Sequence, residues 1–228
     1  MPGRNVAIDG PASSGKGTVA RRVALKLGCT YVDTGAMYRV VALWALEQGV
    51  PLTEGSRLAQ GIPGLALRFD TRPESYGVWM GERDVTEAIR APAVGNAASK
   101  VSGHAEVREA LVRQQRELAS RERVVMDGRD IGTVVLPDSS FKIYLDASLQ
   151  ERAQRRFDDE RARGGNPSLL QVQADLAERD RRDMERAVSP LMVAEGAWHL
   201  DTTELSIDEV VRQICARVEV NEAEHDQQ

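Results

Sequence analysis

Short apolar runs alternate along this chain with longer stretches in which apolar residues recur every three or four positions. Val6-Ala7-Ile8 precedes a segment with Val19, Val23 and Leu27 at helical spacing, and Thr30-Tyr31-Val32 precedes an apolar-periodic stretch from Ala36 to about Gln48. The same kind of step returns later. Val124-Val125-Met126 and Phe141 to Leu145 read as buried strands, the latter followed by a helix over about 149–163. Trp198-His199-Leu200-Asp201 makes a last short strand. Ser206 and Glu209 then form a capping-box pattern that opens a helix with Ile207, Val210, Val211, Ile214 and Val218 on one stripe. Strands that alternate with helices in this way predict a parallel sheet covered by helices, a three-layer α/β arrangement.

Departures from that rhythm mark the subdivisions. Gly49-Val50-Pro51 stops the second helix, and residues 52–64 read as a connection with at most a short helix. Leu65 to Asp70 and Tyr76 to Met80 then read as two strands joined by a polar turn, with Gly81 to Val85 able to supply a third, so about 62–92 is a small β-rich insertion. From Ala91 to Ser120 the pattern gives two helices broken near Ser102-Gly103. Gly164-Gly165-Asn166-Pro167 separates the helix that ends near Arg163 from a second charged helix over about Ser168 to Arg186. Arginines and carboxylates are equally numerous across 151–186, as on a solvated face, but the position and the glycine hinge also suit a mobile lid. The expected organisation is one domain over 1–220, with a core of 1–61, 93–150 and 187–220, the insertion at about 62–92 and the lid at about 151–186. A disordered polar tail is expected over 221–228.

Composition narrows the function classes. The net charge of -5 is wrong for a general nucleic-acid binder. No apolar run approaches the roughly 20 residues of a membrane span, and the N-terminus lacks the layout of a secretion signal, so a cytoplasmic protein with no membrane partner is expected. Cys29 and Cys215 lie far apart without redox or zinc spacing, and His104, His199 and His225 are equally scattered, so no triad or zinc site is assigned. Arginine supplies nearly all of the positive charge, since only Lys16, Lys26, Lys100 and Lys142 are lysines. Planar guanidinium forks suit phosphate and carboxylate.

The chemistry concentrates in the loop after the first strand. Gly10-Pro11-Ala12-Ser13-Ser14-Gly15-Lys16-Gly17-Thr18 lies between a strand and a helix and matches the core of a phosphate-binding loop. Small residues let backbone N–H groups turn inward around phosphate, the helix N-terminus adds partial positive charge, and Lys16 reaches the outer phosphates. The general pattern has Ser or Thr directly after the lysine; here Gly17 intervenes, so Thr18 is the candidate for a hydroxyl facing Mg²⁺. A buried strand also delivers Asp127-Gly128-Arg129-Asp130 to the sheet edge where ligands bind in α/β folds. Asp127 there has the position of a carboxylate that holds or orients Mg²⁺, directly or through water.

Six stretches together resemble the bacterial cytidylate kinase family, of the nucleoside monophosphate kinase group. They are Asp9 to Thr18, Asp33 to Arg39, Asn96 to Ser99, Val107 to Leu111, Asp127 to Val135, and Arg179 to Asp183 continuing through Arg186 to Leu191. They run in the family's order over nearly the whole chain. The Gly-Lys-Gly-Thr order is usual for that group, and Ser13 stands where some relatives carry glycine. The resemblance implies a P-loop kinase fold with a monophosphate-side insertion and a lid, and ATP-dependent phosphorylation of CMP and dCMP with Mg²⁺. It further implies that Thr34, Arg39, Arg129 and Arg186 hold the CMP phosphate, that Ser99, Arg108 and Asp130 read cytosine, and that Arg179 and Asp183 take the ribose. Lys16, Arg129 and Arg186 are then the catalytic candidates, Gly10 to Thr18 the ATP site, and Arg152 and Arg156 candidate lid cations. A monomer acting on small molecules is expected. The nearest alternative is another small P-loop kinase acting on UMP, AMP or a metabolite hydroxyl. A nucleotide-dependent switch or RNA-binding ATPase fits the acidic balance less well.

Overall fold

Five parallel strands form the central sheet, and their carboxyl ends bring Asp9, Asp33, Asp127, Asp146 and Asp201 to one edge. The computed structural model describes residues 4–70 and 76–225. The sheet contains β1 (Val6–Asp9), β2 (Thr30–Asp33), β6 (Val124–Gly128), β7 (Phe141–Asp146) and β8 (Trp198–Asp201), in the order β2-β6-β1-β7-β8. In this register Ile8 lies beside Asp127, Asp9 beside Gly128, and Asp33 beside Asp127. Strand alternation explains the two apolar layers. Val6 and Ile8 of β1 pack with Val19 and Val23 of α1 (Lys16–Leu27) and with Val210, Val211 and Ile214 of α8 (Ile207–His225), whereas Ala7 faces Val112 and Ala119 of α5 (Ala105–Arg121).

The remaining elements pack beside the sheet. α2 (Thr34–Gln48) and α4 (Pro92–Val101) pack together, with α3 (Gly55–Gly61) behind them. The insertion is a small antiparallel sheet of β3 (Leu67–Asp70), β4 (Gly77–Met80) and β5 (Arg83–Asp84). Its Val78 and Val85 join the apolar cluster of α2 and α4, so its core is continuous with theirs. Its first strand starts at Leu67 and not at Leu65. Residues Ile62–Leu65 form a 3₁₀ turn that buries Ile62 and Leu65, and Ala66 then adopts a positive φ of 44°. The expected polar turn between the strands falls largely on residues 71–75, outside the described residues.

α6 (Leu149–Ala162) and α7 (Leu169–Glu185) form the expected helical hairpin, with Gly164 at φ 81° in the turn. Helix α8 runs on to His225, past Asn221, where the sequence reading starts a disordered tail; 226–228 lie outside the described residues. No described helix is long and apolar enough to cross a membrane.

Candidate nucleotide site

The phosphate loop leaves β1 through backbone conformations that restrict its sequence. Gly10 has φ 152°, and a Cβ there would stand 2.0 Å from the Leu145 carbonyl oxygen, so β7 passes too close for any side chain. Gly15 has φ 88° and Ser13 φ 60°, a left-handed conformation that favours glycine. Lys16 is the first residue of α1 and is buried, with its ammonium donating to the Pro11 carbonyl at 2.7 Å. Burial, and then Arg129 beside it, push that ammonium down from the usual lysine range. Lys16 and nine arginines line the cleft against five aspartates, an excess of positive charge that favours an anionic ligand.

Opposite the loop, Asp127 is the penultimate residue of β6, a strand buried along its whole length. One of its carboxylate oxygens accepts from the Tyr31 hydroxyl at 2.9 Å. The other is 4.0 Å from where a Cβ on Gly17 would stand, so the glycine after the lysine leaves space between loop and carboxylate. Burial, and then Asp33, push Asp127 upward, a state that a cation would relieve. Thr18 is exposed at the mouth of the same cleft. These hard oxygen donors fit Mg²⁺. No group of three or more His, Cys, Asp or Glu able to hold a metal occurs among the described residues, so such an ion would draw further ligands from nucleotide and water.

The cleft has a volume of about 490 Å³ and runs from the loop to α4 and α5. Every residue assigned to CMP lines it. Near the middle, Arg129 donates to Asp183 at 2.8 Å, and Arg179 lies beside both. Burial alone would raise the Asp183 carboxyl, but Arg129 and Arg179 hold it below the usual range. Toward the insertion, Arg39 pairs with Asp33 at 2.6 Å, and the same carboxylate oxygen accepts from the Tyr76 hydroxyl at 2.9 Å. The other oxygen caps α2 by accepting from the Ala36 N–H at 2.8 Å. At the far end Asp130 accepts from the Arg108 guanidinium, which also lies over the Tyr38 ring and donates to the Ser102 carbonyl. Both members of this pair are buried. Ser99 Oγ, Arg39 Nε, Arg108 Nε, Arg179 Nε and Arg186 Nη2 are buried with no hydrogen-bond partner in the protein. Buried polar groups are normally paired, so a cleft that collects such orphans is built for a polar ligand.

Comparison with known proteins identifies the group. The cytidylate kinase family model matches residues 6–220. A cytidylate kinase of Exiguobacterium sibiricum is 50% identical over 214 residues, covering 94% of this chain and 96% of that protein. The chain belongs to the cytidylate kinase family. A cytidylate kinase of Bacillus cytotoxicus is 47% identical over the same length, covering 94% of this chain and 95% of that protein. A solved gluconokinase from Sinorhizobium meliloti shares the fold, with a TM-score of 0.52 at 15% identity over 100% of this chain and 98% of that one.

For this cytidylate kinase family member, the contacts of three expected site groups add detail. Arg186, expected with the phosphate ligands and with Lys16 and Arg129, lines the same cleft and stands beside Asp130. It donates to Ser189 O at 2.6 Å and to Ser102 Oγ at 3.4 Å, and its Nη2 stands 3.8 Å from Asp130. Burial, and then Arg108 beside it, lower its pKa. The Thr34 hydroxyl donates its one proton to the Asp127 carbonyl at 2.7 Å, tying α2 to β6. To donate to a phosphate it must release that bond. Of the two lid candidates, Arg156 lines the cleft while Arg152 is buried against α7 and the loop.

Sequence reasoning gave no site role to Asp33, Tyr38, Tyr76, Ser102 or Arg163, all of which line the cleft. Asp33 had a signal, as a carboxylate directly before a helix start. Tyr76 had none, because its partner is distant in sequence and in another layer.

Proposed function

We propose that this chain transfers the γ-phosphoryl group of ATP to CMP and dCMP, giving CDP and dCDP. The observation that carries this reading is the buried Asp130, held by Arg108 at the opposite end of the cleft from Lys16. Cytosine offers an N4 amino donor to a carboxylate and N3 and O2 acceptors to guanidinium groups, whereas uracil reverses the polarity at position 4. Asp130 receives the amino group through the oxygen that Arg108 leaves open. Ser99 offers its unpartnered hydroxyl, and Arg108 and Arg186 donate to the ring acceptors. Arg179 and Asp183 take the ribose. Arg39 and Arg129 hold the acceptor phosphate, with Thr34 at the N-terminus of α2, where backbone amides also face an anion.

The donor triphosphate lies on the Gly10 to Thr18 loop, with Lys16 on its outer phosphates. When bound, Mg²⁺ neutralises the charge of the β- and γ-phosphates, with Thr18 and Asp127 as its protein-side partners directly or through water. Lys16 and Arg129 flank the space between donor and acceptor and stabilise the charge that spreads over the transferred group. The attacking phosphate oxygen of CMP is already ionised near neutral pH, so the residues align and neutralise and no strong base is needed. Closure of the outer hairpin, bringing Arg156 and Arg163 over the phosphates, would exclude water and limit ATP hydrolysis. A cytoplasmic monomer is the setting we infer.

A panel of CMP, dCMP, UMP, AMP and nucleoside acceptors with ATP and Mg²⁺, scored by ADP release, tests the proposal. Turnover of CMP and dCMP well above the rest is expected. Strong turnover of another acceptor with none of CMP or dCMP would refute it.

A further inference from the structure

Beneath the phosphate loop lies an ion pair that the transfer chemistry does not use. Arg152 of α6 and Asp180 of α7 are both buried, each 7% exposed, and neither lines the cleft. Arg152 Nη1 donates to Asp180 at 2.5 Å and to the Ala12 carbonyl at 3.1 Å, and its Nε donates to the Ala147 carbonyl at 2.9 Å. The second Asp180 oxygen accepts from the Ala12 N–H at 3.3 Å. Both backbone groups of one loop residue are therefore held by one side-chain pair. Ala12 also packs its methyl against Ala153, Val172 and Leu176 of the hairpin.

We propose that Arg152 and Asp180 are positioning residues that hold the phosphate loop in its ATP-binding shape and set its register against the acceptor residues on α7. The loop between β1 and α1 lacks a regular ladder, so the backbone groups of Ala12 must find partners elsewhere. Ala12 directly precedes Ser13, whose φ of 60° is unfavourable for an L-residue and needs support from its surroundings. A buried ion pair is a poor source of stability, since apolar residues of similar size often serve as well. A pair that holds both backbone groups of one loop residue instead specifies a conformation.

The helix that carries Asp180 also carries Arg179 and Asp183, which line the cleft, and Asp183 grips Arg129. A single turn of α7 thus touches the donor loop on one side and the acceptor groups on the other. These bonds join the root of the helical hairpin to the loop. A second arginine, Arg155, adds a bond to the Ser14 carbonyl at 3.4 Å.

The inference rests on the kinase reading above only for the choice of acceptor, because ATP affinity is measured without one. The test compares the full-length wild type with Arg152→Met/Asp180→Leu, which removes both charges together, and with Arg152→Lys, which keeps the charge but loses the fork. Calorimetric Kd for ATP with Mg²⁺, KM for ATP and CMP, and thermal unfolding are the readouts. The double variant should remain folded with an ATP Kd raised roughly ten-fold, the scale of two backbone hydrogen bonds lost from the loop, and a CMP KM changed much less. Arg152→Lys should shift ATP affinity in the same direction by a smaller factor. A folded double variant that binds ATP like the wild type, or that weakens ATP and CMP equally, overturns the proposal. If the double variant does not fold, Arg152→Lys decides: weakened ATP binding with unchanged CMP KM supports it, and unchanged ATP binding overturns it. Failure of the wild type to use CMP would refute the substrate assignment and leave the ATP measurement standing.

Discussion

Replacing Asp130 with asparagine should exchange the preference between cytosine and uracil while leaving ATP binding intact. The carboxylate is 5% exposed and fixed by Arg108, so its orientation is set before a base arrives. A hydrogen bond to a charged partner is worth about 1.5–3 kcal/mol, so losing the acceptor for the N4 amino group should lower kcat/KM for CMP by roughly 10- to 150-fold. The asparagine amide can turn its NH₂ toward O4 of uracil, which should raise UMP use by about ten-fold on a neutral hydrogen bond. The CMP-to-UMP ratio should therefore fall by on the order of 10² or more. Breaking a buried ion pair also destabilises, by about 3–5 kcal/mol in the worst case, because Arg108 and Arg186 would lose their counter-charge. The ratio is insensitive to that loss, since both acceptors are turned over by the same folded fraction. Initial rates with each acceptor at saturating ATP, together with KM for ATP, give the result. A fall of both acceptors by one common factor would refute the reasoning and make Asp130 a structural anchor for Arg108.

Other sites give independent checks. Burial pushes the Asp9 carboxyl up to about 6, against the opposing bonds from the Gly132 and Ile131 N–H groups. The folded ligand-free protein therefore binds more protons than the unfolded chain between roughly pH 4 and 6, and stability should fall as pH rises through that window, by about 3 kcal/mol at most. Denaturant titrations of Asp9→Asn should show a shallower decline, since Asp127 is also pushed upward, and an identical pH profile would refute the assignment. Tyr76→Phe keeps the ring beside Tyr31 and Arg90 but removes the bond to Asp33. Acceptor KM should rise several-fold with ATP KM unchanged, as for one hydrogen bond to a carboxylate that Arg39 still holds; steady-state kinetics with an unchanged acceptor KM would contradict this. Gly10→Ala places a methyl against the Leu145 carbonyl, so equilibrium binding should show ATP affinity lost or the protein unfolded, and near-normal affinity would contradict the loop geometry.

Much of the fold was legible because its signals are local. Val6 to Ile8 and Val124 to Met126 are apolar throughout, as strands covered on both faces must be, and Gly10, Gly15 and Lys16 mark a turn that few other purposes require. The break at Ser102-Gly103 and the hinge at Gly164-Gly165 were equally local, and both fall between helices. The order β2-β6-β1-β7-β8 was not legible, because it depends on contacts between segments about a hundred residues apart. Strand starts were legible only where no special conformation intervened, as the positive φ at Ala66 shows.

The site residues divide along the same line. Residue type and position at a strand end brought Lys16, Asp127, Arg129 and Asp130 into view, but the task of each arginine depends on which carboxylate the fold sets opposite it. Arg152 and Arg156 lie one helical turn apart with the same side chain, and nothing in the local pattern separates them. Asp180 arrives from α7 to claim Arg152 for the loop, while Arg156 pairs with Glu160 at 2.6 Å on its own helix and borders the cleft. Arg186 follows the same rule, held where Ser102, Ser189 and Asp130 surround it. In a chain whose positive charge is almost entirely arginine, function is therefore distributed by the placement of acceptors. Substitutions of Asp33, Asp130, Asp180 and Asp183 should consequently separate the phosphate, base, donor-loop and ribose tasks more cleanly than substitutions of the arginines they hold.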